Sequence, residues 1–210
     1  MLRVYYTVLT DGRSFDESAL SLSAYRREKL AHVKAPLLRK QMLAAEWLLG
    51  QALLDVDPET ALPPEIQKGE HGKPFFPSLP LHFSLSHSDA FVACALSDYE
   101  IGLDVQKNSV YNEPLARRFF SPAEQRYIRE CSDHNAAFTE IWCLKESYIK
   151  ATGEGLSRPL SDFSLDMRNQ LCLNGHDAVR FWCVQDHHCH LALCSLNGCD
   201  PVPDILIKKS

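Results

Sequence analysis

Two short stretches carry the side chains best placed to do chemistry. In Ile101-Gly102-Leu103-Asp104-Val105-Gln106-Lys107, apolar residues alternate with Gly102, Asp104 and Gln106, the two-residue period of a half-buried strand. Asp104 and Gln106 therefore share one face. About forty residues on, Trp142-Cys143-Leu144-Lys145-Glu146-Ser147-Tyr148-Ile149-Lys150 contains no helix breaker, and Glu146 and Lys150, four apart, fall on one helical face. A strand carboxylate with a neighbouring oxygen, facing a helical Glu and Lys, has the makings of a site for a hard cation and the phosphates it neutralises. A plainer alternative stands beside this: Glu146 and Lys150 as a surface ion pair worth a few tenths of a kcal/mol, and Gln106 as a sheet hydrogen bond.

The flanking text supplies the elements that must hold these stretches. Met1 to Tyr6 alternates like a strand, and a polar connection covers residues 14–23. Helical periodicity follows over about residues 24–54, with Pro36 as the expected break. Its first part, from Arg26 to Lys34, is basic, and its second, residues 37–54, is strongly apolar. Residues 57–80 are rich in proline and include the turn Gly69-Glu70-His71-Gly72-Lys73-Pro74. Strands are expected over 81–86, 91–97 and 101–106, joined by short turns as in an antiparallel meander. Ser121-Pro122-Ala123-Glu124 has the form of a capping box with proline at the first helical position. A further helix is expected over 135–152, stopped at Gly153, with strands near 163–165, 170–173, 179–184 and 191–195. Helices followed by strands, twice over, predict an α+β chain of two similar lobes, although no repeat is visible residue by residue.

Composition narrows the function classes. The chain has 210 residues and a formal net charge of −5, which argues against a general nucleic-acid binder. No apolar run approaches the roughly 20 residues that span a bilayer, and the first residues lack the layout of a signal peptide. A cytoplasmic protein with no membrane partner is expected. Of the eight cysteines none forms a C-x-x-C pair. The segment Cys183 to Cys199, with His187, His188 and His190, is metal-like in composition but lacks zinc-finger spacing. Reduced thiols in two strands are the alternative.

Taken together, Gly72-Lys73-Pro74, Phe83-Ser84-Leu85-Ser86-His87-Ser88, Ile101-Gly102-Leu103-Asp104-Val105, Phe119-Phe120-Ser121 with Glu124, Trp142 to Lys150, and Gly153-Glu154-Gly155-Leu156-Ser157 resemble the 4′-phosphopantetheinyl transferase superfamily. The wording around Lys145-Glu146-Ser147 looks like its surfactin-type branch. The resemblance runs from about Lys29 to about Leu165. It implies two pseudo-symmetric lobes, each with helices on a small mainly antiparallel sheet, divided here as residues 1–106 and 107–210, with coenzyme A in the cleft between them. It also implies a monomer that moves the phosphopantetheine arm of coenzyme A to a serine of an acyl, peptidyl or aryl carrier protein. The reaction so implied is magnesium-dependent and releases adenosine 3′,5′-bisphosphate.

On that resemblance Asp104, Glu146 and Gln106 stand at metal-ligand positions, Glu146 also at that of the general base, and Lys150 at that of the lysine near the diphosphate. Many surfactin-type members carry glutamate where this chain has Gln106, so weaker metal binding is implied. Lys73, Ser86 and His87 match coenzyme-contact positions. Arg27, Lys29, Arg39 and Lys40 lie where relatives bind the 3′-phosphate, with a solvated basic face as the alternative. Arg117, Arg118, Phe119 and Phe120 fit a carrier-facing surface, or, for the two aromatics, the core. Two rivals to the transferase remain open at this point: a catalytically impaired homologue that binds coenzyme or carrier, and a zinc module on the Cys183–Cys199 segment.

Overall fold

The computed structural model describes residues 1–9, 15–168, 172–173, 176–186, 189–197 and 203–207. The chain forms two compact units. The first runs from Met1 to Asp98 and takes in the C-terminal strand; the second runs from Tyr99 to Val202. Both are α+β.

The first unit begins with β1 (Leu2–Val8), followed by α1 (Ala24–Ala31) and α2 (Pro36–Val56). Ser23 starts α1 by accepting a hydrogen bond from the Arg26 amide, as a serine N-cap does. Pro36 opens α2 at the first helical position, where its missing N–H costs nothing. The expected break falls there. After the small hairpin of β2 (Gln67–Lys68) and β3 (Pro74–Phe75) come β4 (His82–Ser88) and β5 (Phe91–Ser97). Buried Leu48, Leu49 and Leu53 of α2 join Tyr5, Phe83, Val92 and Leu96 in one apolar core, the helix contributing at helical spacing and the strands at alternate positions.

The second unit contains β6 (Ile101–Lys107), α3 (Glu113–Phe119), α4 (Pro122–Glu130), α5 (His134–Thr152), then β7 (Leu165–Asp166), β8 (Cys172–Leu173), β9 (His176–Asp186) and β10 (Cys189–Ser195). Its strands are ordered β6-β10-β9-β8-β7, all neighbours antiparallel. The core gathers Phe138, Ile141, Leu144, Tyr148 and Ile149 of α5 against Phe181, Ala192 and Cys194. A last strand, β11 (Asp204–Ile207), returns to the first unit, whose sheet reads β11-β1-β5-β4, with β1 and β11 parallel. Among the described residues no helix is long and apolar enough to cross a membrane.

Two expectations are corrected here. Residues 81–106 do not form one meander: β4 and β5 pair as a hairpin, whereas β6 pairs with β10 from Ile101↔Ser195 to Lys107↔Cys189. Alternation identifies a strand but not its partner, and the partner lies about ninety residues away. The boundary expected after residue 106 accordingly falls at Asp98–Tyr99, and the strand bearing Asp104 belongs to the second unit. α3 is a helix where the sequence reading placed none. Its start signal is Asn112, whose side chain accepts from the Leu115 amide, with Pro114 in the first turn.

Candidate active site

The site is built where α5 crosses β6. Asp133 caps α5 at its start by accepting from the Ala136 amide, and Gly153, at φ 73°, ends it in the left-handed conformation, which favours glycine. Between them the helix backbone comes unusually close to the strand. A Cβ placed on Gly102 would lie 1.9 Å from the Ser147 carbonyl oxygen and 2.3 Å from the Ala151 nitrogen, so only glycine fits. Cys143 adds another tie, its thiol donating to the carbonyls of Asp104 (3.3 Å) and His190 (3.5 Å). Burial pushes that thiol well above the ordinary cysteine range, as befits a packing group rather than a nucleophile.

This approach brings the expected residues together. Lys150 Nζ donates to Asp104 Oδ1 at 2.6 Å, and Gln106 Nε2 donates to Asp104 Oδ2 at 2.9 Å. Asp104 is only 3% exposed at its side chain, Lys150 31%. Glu146 is half-buried, one turn before Lys150. Its carboxyl is held above the usual carboxylate range, first by burial and then by the charge of Asp104, with Lys150 pulling the other way. Two carboxylates thus share a poorly solvated region, offset in part by one ammonium.

That donor set fits a hard divalent cation. Asp104, Glu146 and the amide oxygen of Gln106 offer oxygen only, and magnesium takes one or two carboxylates and fills its octahedron with phosphate and water. Among the described residues no group of three or more His, Cys, Asp or Glu side chains is placed to hold a metal.

Sequence reasoning passed over the pair that holds the other side of α5. Lys145 and Glu124 are fully buried. Lys145 Nζ donates to the carbonyls of Leu160 (2.8 Å) and Phe163 (2.7 Å) and lies 3.1 Å from Glu124 Oε1. Glu124 also accepts from the amides of Ser121 and Leu165, so the carboxylate that completes the capping box also neutralises the lysine. Burial pushes the Lys145 ammonium below the usual lysine range, against the opposing pull of Glu124. A signal was present: Lys145 stands four residues from both Ile141 and Ile149, on the face that helical periodicity buries, and a lysine there needs a buried counter-charge.

Beyond β6 the chain is pinned to α5 before α3 begins. The Ser109 amide donates to Thr139 Oγ1 (3.0 Å), the Tyr111 amide to Asn135 Oδ1 (2.7 Å), and Asn108 Oδ1 lies 2.9 Å from His190 Nδ1. A cavity of about 160 Å³ opens there, lined by Gln106, Ser109, Leu115, Phe138, Thr139 and Trp142. Of the expected carrier-facing residues, Arg117 and Arg118 are exposed, Phe119 is half-buried with its ring edge-on to Trp142, and Phe120 belongs to the core.

The remaining candidates lie in the first unit. Lys73 closes the Gly69–Lys73 turn, its carbonyl accepting from the Gly69 amide at 2.8 Å, with Gly72 at φ 87°. His87 was expected in a turn; it stands within β4 instead, opposite Val92, and Ser86 beside it is buried opposite Ala93. Arg27 donates to the Leu22 carbonyl, and Arg39 to the Leu30 carbonyl and to Glu17. Lys40 is half-buried early in α2. Lys29 lies over the Tyr25 ring at 4.6 Å from its centre, with Lys68, which the sequence reading left aside, at 5.6 Å. Arg26 is different: it is buried and paired with Glu46 at 3.0 Å.

Cys183 sits in β9, and buried Cys189 and Cys194 in β10, among strands as the thiol alternative has it. His187, His188 and Cys199 lie outside the described residues.

Comparison with known proteins bears on this arrangement. A family model described as the 4′-phosphopantetheinyl transferase superfamily matches residues 100–196, the stretch that carries Asp104, Gln106, Glu146 and Lys150. A 4′-phosphopantetheinyl transferase of Bacillus subtilis is 37% identical over 113 residues, covering 52% of this chain and 49% of that protein. The 4′-phosphopantetheinyl transferase Sfp of Bacillus subtilis strain 168 is 40% identical over 99 residues, 46% of this chain and 44% of that one. In both cases the chain spans about half the relative's length or less. The 4′-phosphopantetheinyl transferase AcpT of Escherichia coli K12 is 33% identical over 171 residues, covering 78% of this chain and 79% of that protein. With a third of the residues identical across an alignment that covers most of both chains, the chain belongs to the 4′-phosphopantetheinyl transferase superfamily.

Proposed function

We propose that this chain transfers the 4′-phosphopantetheine arm of coenzyme A to a serine hydroxyl of an apo acyl, peptidyl or aryl carrier protein. The observation that carries the reading is the convergence of Asp104, Gln106 and Lys150, with Glu146 within their electrostatic reach, at the positions the family resemblance implies. A new ester bond forms between the serine oxygen and the pantetheine-bearing phosphorus. The diphosphate P–O bond to the nucleotide breaks, and adenosine 3′,5′-bisphosphate leaves with that electron pair.

Each residue has a task in this scheme. Glu146 takes the serine proton, directly or through a water; an elevated carboxyl suits a base working near neutrality. Lys150 offsets charge growing on the leaving phosphate. Asp104 and Glu146, with Gln106 in reach, would hold magnesium, which when bound supplies Lewis-acid polarisation of the diphosphate. Lys73, Ser86 and His87, with the basic residues Arg27, Lys29, Arg39 and Lys40, are proposed as coenzyme contacts. Exposed Arg117 and Arg118, beside the exposed apolar Val110 and Leu115, face the carrier, which is typically acidic. Cys94, Cys143 and Cys183, whose thiols burial holds above the ordinary cysteine range, suit the reducing, cytoplasmic setting proposed here. The chain is taken to act as a monomer.

The test is mass spectrometry of apo carrier proteins incubated with the chain, coenzyme A and magnesium. A phosphopantetheine mass should appear on the carrier, and Asp104→Ala and Glu146→Ala should each slow its appearance by about 100-fold or more. Wild-type rates in both variants would end the reading. A second reading, a binding module without turnover, draws on Gln106, which offers Asp104 a donor where many relatives have a third carboxylate. Many carriers modified per chain removes it.

A further inference from the structure

Asp104 is claimed from two sides. Lys150, from α5, donates to one carboxylate oxygen and Gln106, from the same strand, to the other. The carboxylate is almost fully enclosed, so these donors satisfy a charge that would be costly to bury alone. A cation seeking either oxygen has to displace a donor already in place. A glutamate at position 106 would do the reverse, repelling Asp104 and adding a third carboxylate to attract the ion. Lys150 is a single ammonium, for which Asp104 and the diphosphate of a bound nucleotide would compete.

We propose that Lys150 and Gln106 keep Asp104 closed to free divalent cations, and that the ion is admitted only together with the diphosphate of the coenzyme. The diphosphate, carrying more negative charge than one carboxylate, draws the Lys150 ammonium onto itself and frees Asp104 Oδ1. Nucleotide and ion then bind with positive coupling, each tightening the other by the same factor. The proposal rests on the transferase reading, since that reading supplies the coenzyme.

The experiment measures Mn²⁺ binding to the full chain by electron paramagnetic resonance of the free ion, with and without coenzyme A. Coenzyme A should tighten Mn²⁺ binding about tenfold or more, within the usual span of coupled sites. Lys150→Met and Gln106→Glu should each tighten Mn²⁺ binding in the absence of coenzyme and shrink the gain that coenzyme brings. Circular dichroism melts identify folded variants, and Asp104→Asn should abolish the tight binding. Equal Mn²⁺ affinity with and without coenzyme A, unaided affinity unchanged in both folded variants, or tight binding that survives Asp104→Asn would each overturn the proposal. Calorimetry of coenzyme A binding with a chelator present separates the two levels. A chain that binds no coenzyme under either condition fails the transferase reading itself; one that binds coenzyme without coupling fails only this inference.

Discussion

Glu140 shows at the scale of one residue what burial does to a carboxyl on α5. Tyr127 donates to it at 2.9 Å, yet burial outweighs that bond and holds the acid above its ordinary value. The sign follows from linkage: the folded chain holds this proton more tightly than the unfolded one, so stability is lost as pH rises from the usual carboxylate value through the folded value. Glu140→Gln, which keeps an acceptor for Tyr127 and removes the charge, should melt higher than wild type at pH 7. The gap should close near about pH 4, where both side chains are neutral. A variant that melts lower at pH 7 would contradict this. The residues that meet at the site were legible in the sequence, because alternation and four-residue spacing fix which side chains share a face. Their pairing was not: spacing alone puts Lys150 beside Glu146, while the fold gives it Asp104, a partner across two elements.

Between elements, the crossing of α5 over β6 decides whether the site exists. Gly102→Ala would drive a methyl into the helix backbone. Backbone cannot step aside as a flexible side chain can, so the cost should reach about 3 kcal/mol, at the upper end of overpacking. Thermal melts should show a large drop in midpoint, with transfer activity falling in parallel as Asp104 and Glu146 separate. Lys145→Met, which leaves Glu124 charged and buried without its cation, should cost about 3–5 kcal/mol. A midpoint unchanged from wild type would refute the role of that pair. All the α-helices but α3, and most strands, were predictable from caps, prolines and periodicity. Glycine at position 102 read only as one member of an alternating strand, since nothing in local sequence announces which helix will lie against it.

For the molecule as a whole, the order of strands carries the lesson. A local pattern of strand, turn, strand predicted a meander and a boundary after residue 106, and the long-range ladder of β6 with β10 overruled both. The same holds at the C-terminus, where β11 completes the sheet of the first unit by pairing in parallel with β1 from Arg3↔Asp204 to Tyr6↔Ile207. Ending the chain at Val202 removes that ladder and leaves an open strand edge, the kind that pairs with other chains. Such a truncation should lower the melting midpoint and enlarge the particles seen by light scattering; a monodisperse product of unchanged stability would speak against it.

The return of β11 also has a consequence for synthesis. On the ribosome the stretch from Tyr99 onward emerges after β1 and β5 have already appeared, yet the outer neighbour of β1 is made only after that whole stretch. With roughly a hundred residues between Asp98 and that segment, translation at about 5–20 residues per second leaves the nascent first unit incomplete for about 5–20 s. The later-made half, whose partners are contiguous in sequence, can close before the earlier one, and a chaperone that shields the β1 edge would act in that interval.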